Sequence, residues 1–108
     1  MPTLVFTMNP KPGVSLEEFK HFLDTVDRPA CLEQPSAITT RVLRVFDKDA
    51  PFALIEIFEV KSFEEWDRDA QSKIIQDVMK QWPDFGDVAT LKAYKCVDYP
   101  VGAPLTEA

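Results

Sequence analysis

The chain has 108 residues, 45% hydrophobic and 28% charged, with a formal net charge of −6. That length suits one domain with a single core, and the acidic balance, without any cluster of Lys or Arg, argues against nucleic acid or an anionic membrane as the main partner. No apolar run approaches the roughly 20 residues that span a bilayer, and no basic segment followed by a long apolar one opens the chain. A cytoplasmic protein is expected. Cys31 and Cys96, the two cysteines, lack the paired spacing of zinc or dithiol motifs and read as reduced thiols.

In chain order, residues 3–8 read as a first strand, ended by Asn9-Pro10-Lys11-Pro12-Gly13. Ser15 with Glu18 fits a capping box opening a helix, in which Leu16, Phe19, Leu23 and Val26 repeat at helical spacing to about Asp27. Residues 28–36, bracketed by Pro29 and Pro35, read as one short helical turn over the sheet edge. Residues 38–46 form a second strand, turned back by Asp47-Lys48-Asp49-Ala50-Pro51 into a third at 52–60. Ser62 with Glu65 is a second capping box, opening a helix with the stripe Phe63, Trp66, Ala70, Ile74 and Val78, closed at Trp82-Pro83. Residues 88–97 are the last strand. The domain is expected over 1–98, with a tail rich in Pro and Gly at 99–108.

The order βαββαβ is the ferredoxin-like arrangement, an α+β fold with a four-stranded antiparallel sheet and two helices on one face. The third strand, Phe52-Ala53-Leu54-Ile55-Glu56-Ile57-Phe58-Glu59-Val60, is apolar on both faces. Leu54, Glu56 and Phe58 point one way, Ala53, Ile55 and Ile57 the other. Two helices cover one face only, and an apolar face of roughly 400 Å², taken from the strand spacing and rise, is more than monomers usually leave bare. A homodimer through the open sheet face is expected. In element order and patterning the chain resembles the dimeric α/β-barrel superfamily, in which two ferredoxin-like subunits close a barrel from their sheets. RNA-recognition domains share the order, but Ala50-Pro51 replaces their basic residue and glycine, and no basic cluster accompanies the partly aromatic strand positions.

Asp27-Arg28-Pro29-Ala30-Cys31-Leu32-Glu33-Gln34-Pro35 leading into the second strand, together with Asn9-Pro10-Lys11-Pro12-Gly13-Val14, resembles the RedY and HapK group, small proteins found with genes of prodiginine and related bipyrrole pigment pathways. The resemblance implies a small-molecule role in secondary metabolism and transfers no catalytic residue.

Glu56 is the most informative single position, because a carboxylate on so apolar a strand needs a partner or a raised pKa. Arg44 is its expected partner, either as a structural pair that fixes register or as the guanidinium holding a cleft acid or base. Arg41 falls on the opposite face, as a rim residue. His21, the only histidine, suits proton transfer near neutrality. It lies off the apolar stripe, on a polar ridge with Asp24 and Arg28 that either faces solvent or lines the mouth of a cleft. Two ligands one turn apart do not make a metal signature, and no metal is expected. Phe6, Trp66, Trp82 and Tyr94 are core aromatics or the walls of an aromatic pocket. With three glycines and no phosphate loop, nucleophile elbow or dinucleotide fingerprint, no nucleotide or flavin cofactor is expected.

The expected function is binding of a small aromatic or pyrrole-type metabolite, as an enzyme of cyclisation or dehydration using His21 or Glu56 with Arg44 holding charge. The alternatives are a non-catalytic carrier or assembly partner, and a cofactor-free monooxygenase.

Overall fold

The computed structural model describes residues 1–102. Its elements are β1 (Thr3–Met8), α1 (Leu16–Phe22), a π-helical turn (Leu23–Asp27), α2 (Arg28–Leu32), β2 (Ala37–Arg44), β3 (Leu54–Val60), α3 (Phe63–Asp69), α4 (Lys73–Gln81), a 3-10 turn (Trp82–Asp84) and β4 (Lys92–Cys96). The strands form one antiparallel sheet in the order β2-β3-β1-β4. This is the ferredoxin-like α+β arrangement, with its helices on one face.

Along β3 burial alternates strictly, so Leu54, Glu56, Phe58 and Val60 face the helices while Ile55, Ile57 and Glu59 face away. The core joins Leu4, Met8, Leu54, Phe58 and Val60 of the sheet to Phe19, Phe22, Leu23, Trp66, Ile75, Val78 and Trp82 of the helical layer. An edge-to-face aromatic pair joins the two layers, Phe58 against Trp66 at 4.7 Å, and a second, Phe19 against Trp82 at 5.4 Å, holds the helical layer together.

Both capping serines act as the sequence predicts: Ser15 Oγ accepts the Glu18 N–H and Ser62 Oγ the Glu65 N–H, each at 3.1 Å. The helices they open differ from expectation. The first does not stop at Asp27 but continues through Leu32, widened by the π turn in which the Arg28 N–H reaches back to the Leu23 carbonyl. Pro29 lacks the N–H that a regular helix would direct to the Thr25 carbonyl, and within the same turn the Thr25 hydroxyl donates to the His21 carbonyl at 2.6 Å. The predicted second helix is two helices, because Ser72 caps α4 by accepting the Ile75 N–H at 3.4 Å and breaks the chain after Ala70.

Strand β4 starts at Lys92 rather than at residue 88, since the Asp87 carboxylate accepts the Ala89 N–H and holds residues 87–91 in turns. Beyond β4 the N-terminal ammonium pairs with Asp98 at 2.8 Å. Of the expected tail, residues 103–108 lie outside the described residues.

Candidate functional site

Between the sheet and α2, α3 and α4 lies a cavity of about 260 Å³. Its walls are apolar and aromatic, among them Phe6, Met8, Phe58, Trp66 and Trp82, and its polar groups are few: Asp27, Cys31 and Glu56, with Gln71 from the break between α3 and α4 and Gln76 from α4. An engineered cavity of roughly 150 Å³ holds benzene, so this one has room for one or two aromatic rings.

Glu56 reaches the cavity because β3 points it at the helices, and it is only 8% exposed. Its Oε2 accepts a hydrogen bond from the Thr40 hydroxyl of β2 at 2.8 Å. Burial, and then the charge of Asp27, push its pKa up to about 7 against the opposing Thr40 bond and the positive Arg28. Asp27 ends the π turn, one helical turn after Leu23 on the core-facing side. Its Oδ2 accepts the Trp82 indole N–H at 3.1 Å and its Oδ1 accepts the Cys31 thiol at 3.3 Å. Burial raises its pKa, and those two donors pull it back. The Cys31 thiol is pushed up by burial and by the two carboxyls around it, which leaves it a hydrogen-bond donor rather than a thiolate nucleophile.

The expected Glu56–Arg44 pair does not form. Val42 stands opposite Glu56 and Arg44 opposite Leu54, so Arg44 shares the face of Glu56 but sits one pair along the strand. Its guanidinium stacks on Phe46, 4.6 Å from the ring centroid. Arg44 instead lines a second, open groove with Leu16, Glu17, Lys20, His21, Asp24, Val42 and Leu54. His21 therefore stands in a different depression from Asp27 and Glu56.

Asp24 is held by Lys20 at 2.6 Å and Arg28 at 2.9 Å. Arg28 also donates to the Thr40 carbonyl at 3.3 Å, linking this ridge to the residue that bonds Glu56. Of the four aromatics, Phe6, Trp66 and Trp82 line the cavity. Tyr94 does not: it pairs with Val5 on the open face, 49% exposed. Arg41 is opposite Ile57 on that same open face. Among the described residues there is no cluster of His, Cys, Asp and Glu that could hold a metal ion.

Asp27, Cys31 and Thr40 are functional candidates that reading the sequence by residue type passes over. The available signal was the helical stripe, which Asp27 continues at four residues beyond Leu23, so a carboxylate on an apolar stripe repeats on a helix what Glu56 does on a strand.

The model of the REDY-like protein HapK family matches residues 2–96. HapK from Hahella chejuensis superposes with a TM-score of 0.72 at 16% identity over all of both chains. SnoaB, a cofactor-independent oxygenase from Streptomyces nogalater, superposes at 0.73 with 12% identity over 95% of this chain and 97% of its own. A dimeric protein of unknown function and ferredoxin-like fold from Bacteroides fragilis gives 0.64 at 8% identity over 88% and 93%. At such identities the superpositions establish the shared fold. No curated protein matches the chain. The match to the family model over nearly the whole length is of another kind, and by it the chain belongs to the family of the REDY-like protein HapK.

Proposed function

We propose that the protein binds a small aromatic or pyrrole-type metabolite in the cavity between sheet and helices and moves a proton on it, in a secondary-metabolite pathway of the prodiginine-pigment kind. The observation that carries this reading is Glu56, a buried carboxyl with a pKa near 7 in an aromatic-walled cavity. Near neutrality such a group is present as both acid and base, which suits general acid–base chemistry. In a dehydration, the Glu56 carboxylate takes a proton from a ligand C–H, and the electron pair of that bond stays delocalised on the conjugated ligand. The resulting acid then gives the proton to the leaving hydroxyl; as the C–O bond breaks that electron pair forms the C=C bond, water departs and Glu56 returns to its carboxylate. Membership of the HapK family supports the pathway class. SnoaB, a cofactor-independent oxygenase that shares this fold, supplies the oxygenase alternative.

The subunit itself is proposed to be a cytoplasmic homodimer. Both cysteines are free thiols, as a reducing compartment leaves them. The open sheet face carries Val5, Ile55, Ile57, Leu43 and Tyr94, and the Bacteroides fragilis relative is described as dimeric.

The chain's two tryptophans both line the cavity, so 2,2′-bipyrrole entering it should quench their fluorescence. In D2O the wild-type protein should exchange ring C–H protons of bound bipyrrole for deuterium. Glu56→Gln should keep binding and lose about 100-fold or more of that exchange, the usual share of a general acid–base group. Quenching without exchange would make the protein a carrier, oxygen consumption would make it an oxygenase, and absence of quenching would remove the site.

A further inference from the structure

Asp27 is the second carboxyl of the cavity, and its surroundings differ from those of Glu56. Both of its oxygens are occupied by donors on neighbouring elements, the Trp82 indole N–H at 3.1 Å and the Cys31 thiol at 3.3 Å. Glu56 has one side-chain donor, Thr40, on Oε2. Two acids facing one low-dielectric space do not ionise independently, and the one with more donors takes the negative charge first. We propose that Asp27 is a positioning residue, the ionised member of the cavity's carboxyl pair, whose charge adds to burial in keeping the transferable proton on Glu56.

The groups that act on the pair come from three elements, while β1, α3 and α4 line the cavity with no charged side chain. The first long helix supplies Asp27 itself, the Cys31 donor and Arg28. Strand β2 supplies Thr40, and the 3-10 turn supplies Trp82. Arg28 is the cation that acts on both carboxyls, and it favours ionisation of each. Its NH1 is engaged by Asp24 and its NH2 by the Thr40 carbonyl, so it forms no direct ion pair with either. Asp27 meets the ligand's chemistry only through Glu56, and its place in catalysis rests on the proton-transfer reading above. Its hold on the Glu56 proton exists with or without a ligand.

Carbon NMR of the full chain labelled at Asp and Glu carboxyl carbons tests this directly, with Glu56→Gln assigning the resonance. In the wild type the Glu56 carboxyl should titrate near neutrality, and in Asp27→Asn its midpoint should fall by about one unit or more, the size of a like-charge effect at close range. The pH profile of bipyrrole C–H exchange should move down by the same amount. A Glu56 midpoint unchanged in Asp27→Asn overturns the proposal. Should that variant fail to fold, the wild type alone decides: the Asp27 resonance must show a second inflection at the Glu56 midpoint, and a single inflection overturns the pairing. A shifted midpoint with no binding or exchange would leave the pair standing and remove the proposed function. Exchange that depends on Glu56 with an unshifted midpoint would do the reverse.

Discussion

A carboxyl on the inward face of a central strand is held there against its own solvation. Glu56 has an ordinary pKa of 4.5 and one near 7 in the fold. Between those values the unfolded chain has released the proton and the folded chain keeps it, so stability falls as pH rises through that window. At about 1.4 kcal/mol per unit the loss is on the order of 3 kcal/mol. Glu56→Gln keeps an acceptor for Thr40 and has no proton to lose. Urea denaturation at pH 5 and pH 8 should therefore show the variant gaining about 2–3 kcal/mol on the wild type between the two. An equal difference at both pH values would mean that Glu56 is solvated in the fold.

At the scale of elements, the cavity depends on how the 3-10 turn carries Trp82 over it. Gly86 lies beneath that indole, and a Cβ there would fall 2.2 Å from Trp82 Cζ3. The ring is fixed on its other sides by Phe19 and by the bond to Asp27, so it has little room to retreat. Gly86→Ala should cost about 1–3 kcal/mol, the usual penalty of overpacking, and should change the Trp82 emission. An unaltered melting temperature and spectrum would show the indole to be mobile. The elements themselves were largely legible: alternation divided the side chains of β3 into two sets, and the Ser15 and Ser62 caps marked two helix starts, but with both sets apolar nothing in the strand said which one, with or without Glu56, meets the helices. What escaped was geometry that depends on one residue. The third cap, Ser72, lies inside a continuous apolar stripe and so reads as helix interior. The π turn follows from a missing N–H at Pro29, which the sequence shows only as a proline. The Arg44 expectation failed because residues 45–53 form an irregular connection, and nothing in its composition sets the register to the pair.

For the whole molecule, the sheet has one face spent on the helices and the cavity, and one face left over. Val5 stands at its centre on β1, between Ile57 of β3 and Tyr94 of β4, with Ile55 and Leu43 adjoining and Arg41, Glu59 and Lys92 around them. Apolar centre and charged surround are the pattern of a protein interface, and a two-fold axis through the patch would set Val5 near its counterpart. Sedimentation of the wild type should give twice the chain mass. Val5→Lys faces solvent in a lone subunit and is tolerated there, but in the dimer it would bury two unpaired ammonium groups close together, so the variant should sediment at the mass of one chain with its circular dichroism unchanged. A wild-type monomer, or a Val5→Lys dimer, would place the partner elsewhere. The cavity is lined by residues of one chain and lies on the helical side of the sheet, so the monomeric variant should still bind bipyrrole with the same tryptophan quenching. Loss of binding together with dimerisation would instead show that the helical layer keeps its spacing only while the sheet is held flat by a second copy.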